Sequence, residues 1–411
     1  MPNSWDFAED NTKSYTHGFH TYPAMMIPQV ARKLIDEYGK NDKFLFDPYC
    51  GTGTSLLEAN IKGINAIGTD LNPMARLVAK AKTTIITQQN LDLVLKDFDD
   101  FLFQFRYGFR KKDSVIAPQF ANIDFWFSKN IKNDLAIIKE YIDKIEDKSI
   151  KTFFEVAFSQ SIRECSWTRK NEFKLYKMDK EKIKTFKPEV FTNFVKILCN
   201  NRKGILDFIQ GKKNDSVSNI YDFNSVKYIP SDLVQEKSID LVVTSPPYGD
   251  SQTTVAYGQF SRLANQWLGF ENSQKLDSTL MGGTRHSQIE KFENKTLNKQ
   301  INQIKKADGK RALDVYSFYK DYHDSISNVA KTIKRNGHAC YVVSNRCVRG
   351  VTLKTDKVTQ AFFEENGLKH VGTFHRKISS KRMPRKNSPV GIVGKTKTLM
   401  NKEYIVVMQK R

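Results

Sequence analysis

Phe44-Leu45-Phe46-Asp47-Pro48-Tyr49-Cys50-Gly51-Thr52-Gly53-Thr54 runs from a short apolar strand into a turn with two glycines. A helix through Ser55 to Ile61 follows, Gly63 stops it, and Asn65-Ala66-Ile67-Gly68-Thr69-Asp70 reads as a second strand. Strand, glycine turn, helix and strand make one βαβ unit. Glycines directly after a strand let the backbone approach a ligand closely. Asp70 lies 19 residues after Gly51, at the end of the second strand, where a carboxylate can accept hydrogen bonds from both hydroxyls of a ribose. The turn is not a dinucleotide fingerprint, because the third glycine of GxGxxG would fall at Leu56. No GKS or GKT ends it either, which excludes a phosphate loop. A nucleoside site is what remains.

Working outward, Pro23 is placed to open a helix in which Met26, Val30 and Leu34 recur at four-residue spacing before Gly39. Residues 87–215 are Lys-rich with helical periodicity at Leu135, Ile138, Tyr141, Ile142 and Ile145. Ile239 to Val243 reads as a buried strand, and 271–312 as polar, weakly periodic loop. Val315 to Lys334 predicts an amphipathic helix closed by Gly337, Ala339 to Val343 a strand, and Asp356 to Glu365 a helix. Val371 to Phe374 and Tyr404 to Met408 predict a closing strand pair. The alternation predicts a doubly wound, Rossmann-like α/β sheet interrupted by a mainly helical insertion. The expected division is 1–86, 87–215 (the insertion) and 216–411.

The 411 residues are 39% hydrophobic, enough for a core, and no run approaches the roughly 18 apolar residues of a membrane span. Met1 to Asn11 is polar and predicts no signal peptide. Cys50, Cys165, Cys199, Cys340 and Cys347 form no CxxC pair, so neither a disulfide framework nor a cysteine metal site is expected, and a reducing cytoplasm fits. The net charge is +21, of which 101–215 carry +9 and 270–411 carry +17. Excess charge segregated in this way favours a polyanionic partner.

Thr244-Ser245-Pro246-Pro247-Tyr248 follows the apolar strand. Two prolines end a strand for backbone reasons alone. They also remove two donors and leave a hydroxyl, carbonyl oxygens and an aromatic face, an acceptor-rich pocket for a planar amine. An exocyclic amine on a base is a poor nucleophile because its lone pair is delocalised into the ring. Acceptors on both N–H groups draw the nitrogen towards a tetrahedral, nucleophilic form.

Together the two motifs resemble the S-adenosylmethionine-dependent DNA amino-methyltransferases, in particular the TSPPY type that methylates cytosine N4. The resemblance covers about 1–86 and 216–411. It implies a catalytic loop of Ser245, Pro246, Pro247 and Tyr248, with Tyr248 stacking on the base. It implies that Asp47, Cys50, Gly51, Gly53, Thr54, Asp70 and Leu71 bind S-adenosylmethionine. His20, Tyr22 and Pro23, in His20-Thr21-Tyr22-Pro23-Ala24, resemble the cofactor-side segment preceding the glycine motif. Asp222-Phe223-Asn224-Ser225 resembles the segment touching the cofactor's adenine, with Asp222 or Asn224 filling the acidic position. Lys381, Arg382, Arg385 and Lys386 resemble a loop bordering the target-base pocket, in a stretch from Arg376 with six basic residues in eleven.

The order of cofactor motifs, insertion and catalytic loop resembles members whose target-recognition domain interrupts the fold. Arg163, Arg169 and Lys170 are then candidate DNA contacts, although such a run equally fits a solvated helix face. The implied partners are double-stranded DNA and a cognate restriction endonuclease. Cytosine C5 methylation needs a Pro-Cys nucleophile, which is absent. Adenine N6 is the nearest alternative, since that group more often carries Asp where Ser245 stands. RNA or protein-amide methylation and a catalytically silent DNA-binding module fit the intact motifs less well.

Overall fold

The computed structural model describes residues 4–40, 43–170, 172–250, 255–271, 273–378 and 402–411, with the backbone of 386–387 and 397–398. Its frame is a seven-stranded sheet. In chain order the strands are β1 (Phe44–Asp47), β2 (Asn65–Thr69), β3 (Ser218–Tyr221), β4 (Ile239–Thr244), β5 (Ile333–Val343), β6 (Leu368–Lys377) and β7 (Lys402–Lys410). They lie side by side as β3-β2-β1-β4-β5-β7-β6. The first five are parallel, with Leu45 paired to Ala66 on one side and to Leu241 on the other. β7 runs antiparallel to both β5 and β6. The chain winds outward from β1 to β3, then returns to β4 on the other side of β1. That reversal opens a crevice beyond the carboxyl ends of β1 and β4, where doubly wound sheets take their ligands.

The principal helices are α1 (Pro28–Tyr38), α2 (Thr54–Ile61), α3 (Pro73–Thr83), α4 (Gln88–Arg106), α5 (Lys129–Lys144), α6 (Lys148–Cys165), α7 (Val190–Gly211), α8 (Tyr257–Trp267), α9 (Lys295–Ala307), α10 (Gly309–Thr332) and α11 (Thr355–Glu365). Side chains alternate across a strand, so Leu45 and Leu241 face α1 and α2, while Phe46 and Val242 face α9, α10 and α11. With both faces covered, all six residues of β4 are buried. Helices α4 to α7 give 87–215 its expected helical character. Their core, around Leu135, Phe154, Phe158 and Phe194, continues into Met74 and Val78 of α3 and Trp267 of α8. Among the described residues no helix is long and apolar enough to cross a membrane.

Three local expectations need correction. The first long helix starts at Pro28, not Pro23. Residues 295–307, read as loop, form α9: Asn294 caps it by accepting from Leu297 N, and Leu297, Ile301 and Ile304 bury one narrow stripe against α10. Three apolar residues suffice there because a long partner helix covers them. Gly337 does not follow a helix; it lies inside β5, where a Cβ would stand 2.9 Å from Asp240 O.

Candidate active site

A cleft of about 1000 Å³ opens at the carboxyl ends of β1, β2 and β4. Its floor is the glycine turn between β1 and α2. Gly51 (φ +49°) and Gly53 (φ +75°) both adopt left-handed backbone, which glycine tolerates without a Cβ clash. Gly51 N donates to Asp70 Oδ2 at 3.1 Å and Asn72 N to Asp70 Oδ1 at 2.7 Å. These bonds hold the half-buried carboxylate at the rim, and each oxygen keeps capacity for a further donor. Burial raises the Asp70 pKa, while the N–H of Asn72, the Arg76 guanidinium and the N–H of Gly51 lower it. A fixed carboxylate ending β2 fits the two hydroxyls of a ribose.

Cys50, Gly51, Thr54, Asp70 and Leu71 all line the cleft. Gly53 does not. A Cβ at Gly53 would stand 2.9 Å from Ala79 Cβ, so this glycine serves the close approach of α3. Asp47 also lines the cleft, but its carboxylate is committed. It accepts from Ser55 Oγ, from Thr244 Oγ1 at 2.5 Å and from Tyr49 N at 3.0 Å. It thereby ties the end of β1 to α2 and to the end of β4. Burial pushes its pKa up to about 6.

On the far wall, Phe223, Asn224 and Ser225 line the cleft. Of the two alternatives for the adenine segment, Asn224 is the one inside. Asp222 is exposed and faces Arg76 at 3.7 Å, so it is not in the cleft. Tyr22 and Pro23 line the near wall, and Tyr22 Oη accepts from Asn72 Nδ2 at 2.7 Å. His20 is a correction. It lies in a smaller cavity beside Ser159, Arg163 and Ser261, and among the described residues neither ring nitrogen has a hydrogen-bond partner. Burial, with the charges of Lys82 and Arg163 nearby, pushes its pKa down to about 3.

The segment after β4 meets the same cleft. Ser245 and Pro247 line it, whereas Pro246 and Tyr248 do not. Ser245 Oγ donates to Val342 O at 3.2 Å and lies 3.3 Å from Tyr248 Oη. Tyr248 Oη donates to Glu403 Oε1 at 2.8 Å, and Arg376 Nη1 donates to Glu403 Oε2 at 2.6 Å. Burial, reinforced by the Glu403 charge, pushes the Tyr248 phenol far above its ordinary range, so it stays protonated. Arg376, the first residue of the basic stretch, is buried against Glu403. The sequence reading missed Glu403 altogether. Its signal was structural: Glu403 is paired with Arg376 across β7 and β6, 27 residues apart in the chain. Asn72 was missed too, although it caps α3 and bonds both Tyr22 and Ser261.

The candidate DNA contacts divide. Arg163 is buried, stacked 4.1 Å over the Phe260 ring and bonded to Glu172 O, so it is not available to phosphate. Lys170 is exposed as a residue, yet its ammonium folds back onto Arg163 O (2.6 Å) and Ser166 O (2.8 Å), closing the end of α6. Arg169 is exposed and pairs with Glu172 and Asp179 at 3.4 and 3.1 Å. Lys381, Arg382 and Arg385 lie outside the described residues, as does the Lys386 side chain.

Residues 1–81 match a family model described as DNA methylase, of the N6 and N4 kind. The Type II methyltransferase M.MvaI of Kocuria varians is 37% identical over 422 aligned positions, covering 98% of this chain and 93% of that one. The Type II methyltransferase M.MjaII of Methanocaldococcus jannaschii is 27% identical over 38% of this chain and 26% of its own length. An rRNA methyltransferase of Streptomyces viridochromogenes aligns over 95% of this chain and 88% of its own, at 9% identity and a TM-score of 0.34. With relatedness running nearly end to end, the chain belongs to the S-adenosylmethionine-dependent N4/N6 DNA amino-methyltransferases.

Proposed function

We propose that this protein methylates the N4 amine of a cytosine in duplex DNA and is the modification partner of a restriction endonuclease in the cytoplasm. The observation that carries the reading is the shared cleft: Ser245 and Pro247 line the space that Asp70 and Asn224 also line. The name of the 37% identical relative, a Type II methyltransferase, supports the restriction pairing.

The residues divide the work. Asp70 receives the ribose hydroxyls, Asn224 with Phe223 and Leu71 borders the adenine, and the Gly51 turn borders the amino-acid end. Bound there, S-adenosylmethionine supplies an electrophilic methyl group. The target base leaves the stack at a cost of a few kcal/mol, offset by contacts in the pocket. Tyr248, tethered by Glu403, provides the face on which the extruded base stacks. Ser245 Oγ and the Pro246 carbonyl accept the two amine hydrogens and orient the nitrogen lone pair. Positioning and amine polarisation provide most of the acceleration, and no covalent enzyme intermediate is needed. The amine proton departs after the nitrogen becomes cationic and acidic, so no strong base is required beforehand. A hydroxyl at position 245, where a carboxylate is the alternative, favours cytosine over adenine.

Methylating unmodified duplex DNA with labelled cofactor, then digesting it to nucleosides, tests the base. The expected product is N4-methylcytosine. N6-methyladenine alone would overturn the cytosine assignment.

A further inference from the structure

Behind the glycine turn sits a lysine that neither motif accounts for. Lys82, on α3, is 0% exposed. Among the described residues its ammonium has one hydrogen-bond partner, Thr52 Oγ1 at 3.3 Å, and no carboxylate acts on it. A buried ammonium without a counter-charge costs several kcal/mol, so its placement needs a reason.

The groups around it do not provide one. His17 and His20 precede the turn into α1; burial first, then the Lys82 charge, lowers the pKa of both, and an imidazole supplies no negative charge in either form. Arg163, across from His20 on α6, is a second cation. Glu58 on α2 is the anion in this corner, and it is already claimed: Arg32 of α1 grips it through two bonds of 2.9 Å, and His17 Nε2 lies 2.9 Å from Oε1. Thr16 Oγ1 bonds only the Lys82 carbonyl. On the other side of Thr52 the surroundings change, because Thr52 lines the cleft.

We propose that Lys82 is the counter-charge for the carboxylate at the amino-acid end of the bound cofactor, acting through the Thr52 hydroxyl. Thr52 accepts from the ammonium and donates its own O–H into the cleft. Lys82 is thus a positioning residue, and the assignment rests on reading the cleft as the cofactor site.

A consequence separates this from a merely structural role. Burial alone pushes the Lys82 ammonium down to about 7, so a large part of it is neutral in the ligand-free protein above neutral pH. A nearby anion favours the charged form. Binding of a carboxylate-bearing ligand should therefore take up a proton.

The test is calorimetry of the full chain in buffers of different ionisation enthalpy. Two thioether ligands are compared, S-adenosylhomocysteine and 5′-methylthioadenosine, which lacks the amino-acid end. At about pH 8, S-adenosylhomocysteine should take up close to one proton, falling towards none at about pH 6, while 5′-methylthioadenosine takes up none at either. Lys82→Met should abolish the uptake and weaken S-adenosylhomocysteine by about tenfold or more, with 5′-methylthioadenosine changed by less than about twofold. Equal weakening of both ligands, or no differential uptake by the wild type, would overturn the assignment. If Lys82→Met does not fold, the wild-type difference between the two ligands decides alone. If neither ligand binds the wild type, the cofactor reading itself falls and takes the Lys82 assignment with it.

Discussion

The glycine turn after β1 and the end of α6 were both rich in residues that looked functional, and they fold to opposite ends. In the turn, Gly51, Cys50, Thr54 and Asp70 converge on one cleft, held there by backbone donors. At the end of α6, Arg163 is buried against the Phe260 ring and the Glu172 carbonyl, the Lys170 ammonium folds onto two carbonyls, and exposed Arg169 pairs with two carboxylates. The difference is one of mechanism. A turn that must approach a ligand is specified by glycine, whose freedom no other residue supplies. Positive charge has many uses, and closing a helix end or bridging a loop satisfies it without any nucleic acid.

The comparison can be broken first at its strong side. Asp70→Ala removes a charge-assisted pair of acceptors and should weaken S-adenosylmethionine by roughly 2–4 kcal/mol. Calorimetry giving an unchanged affinity in a folded variant would remove the ribose assignment. The weaker side is sharpened by separating two arginines. Arg163→Met strips a partly buried carbonyl of its donor and the Phe260 ring of its cation, and should lower stability by about 1–3 kcal/mol, read from chemical denaturation. Arg169→Glu should leave the denaturation midpoint nearly unchanged, because exposed ion pairs contribute little. If Arg169 nonetheless touches phosphate, the slope of log affinity against log salt should drop by about one. An unchanged slope would place the DNA contacts of this protein elsewhere.

The sheet was legible because its signals are local: β4 reads as a buried strand from Ile239, Leu241, Val242 and Val243 despite Asp240 among them, and the first βαβ unit is punctuated by Gly51, Gly53 and Gly63. Helix α9 was not, since its three buried apolar residues, Leu297, Ile301 and Ile304, only make sense beside α10. The site was legible where a motif is also a backbone conformation, as at Gly51 and Asp70. It failed where neighbours decide. Gly53 matches the motif yet answers to Ala79 of α3. His20 turns into a separate cavity. Glu403 meets Tyr248 and Arg376 only because β7 folds back between β5 and β6.

The central claim is that one cleft holds the cofactor at one rim and activates the amine at the other. Single-turnover methyl transfer to unmodified duplex DNA, run with Ser245→Ala beside the wild type and with both affinities measured, tests it most directly. Ser245→Ala should lower the transfer rate by about 100-fold, the scale of one lost polar contact in the transition state. The affinities for S-adenosylmethionine and DNA should stay within about twofold, because losing one neutral hydrogen bond has a small net effect on binding. Near-normal transfer by Ser245→Ala, with both ligands bound, would contradict the account.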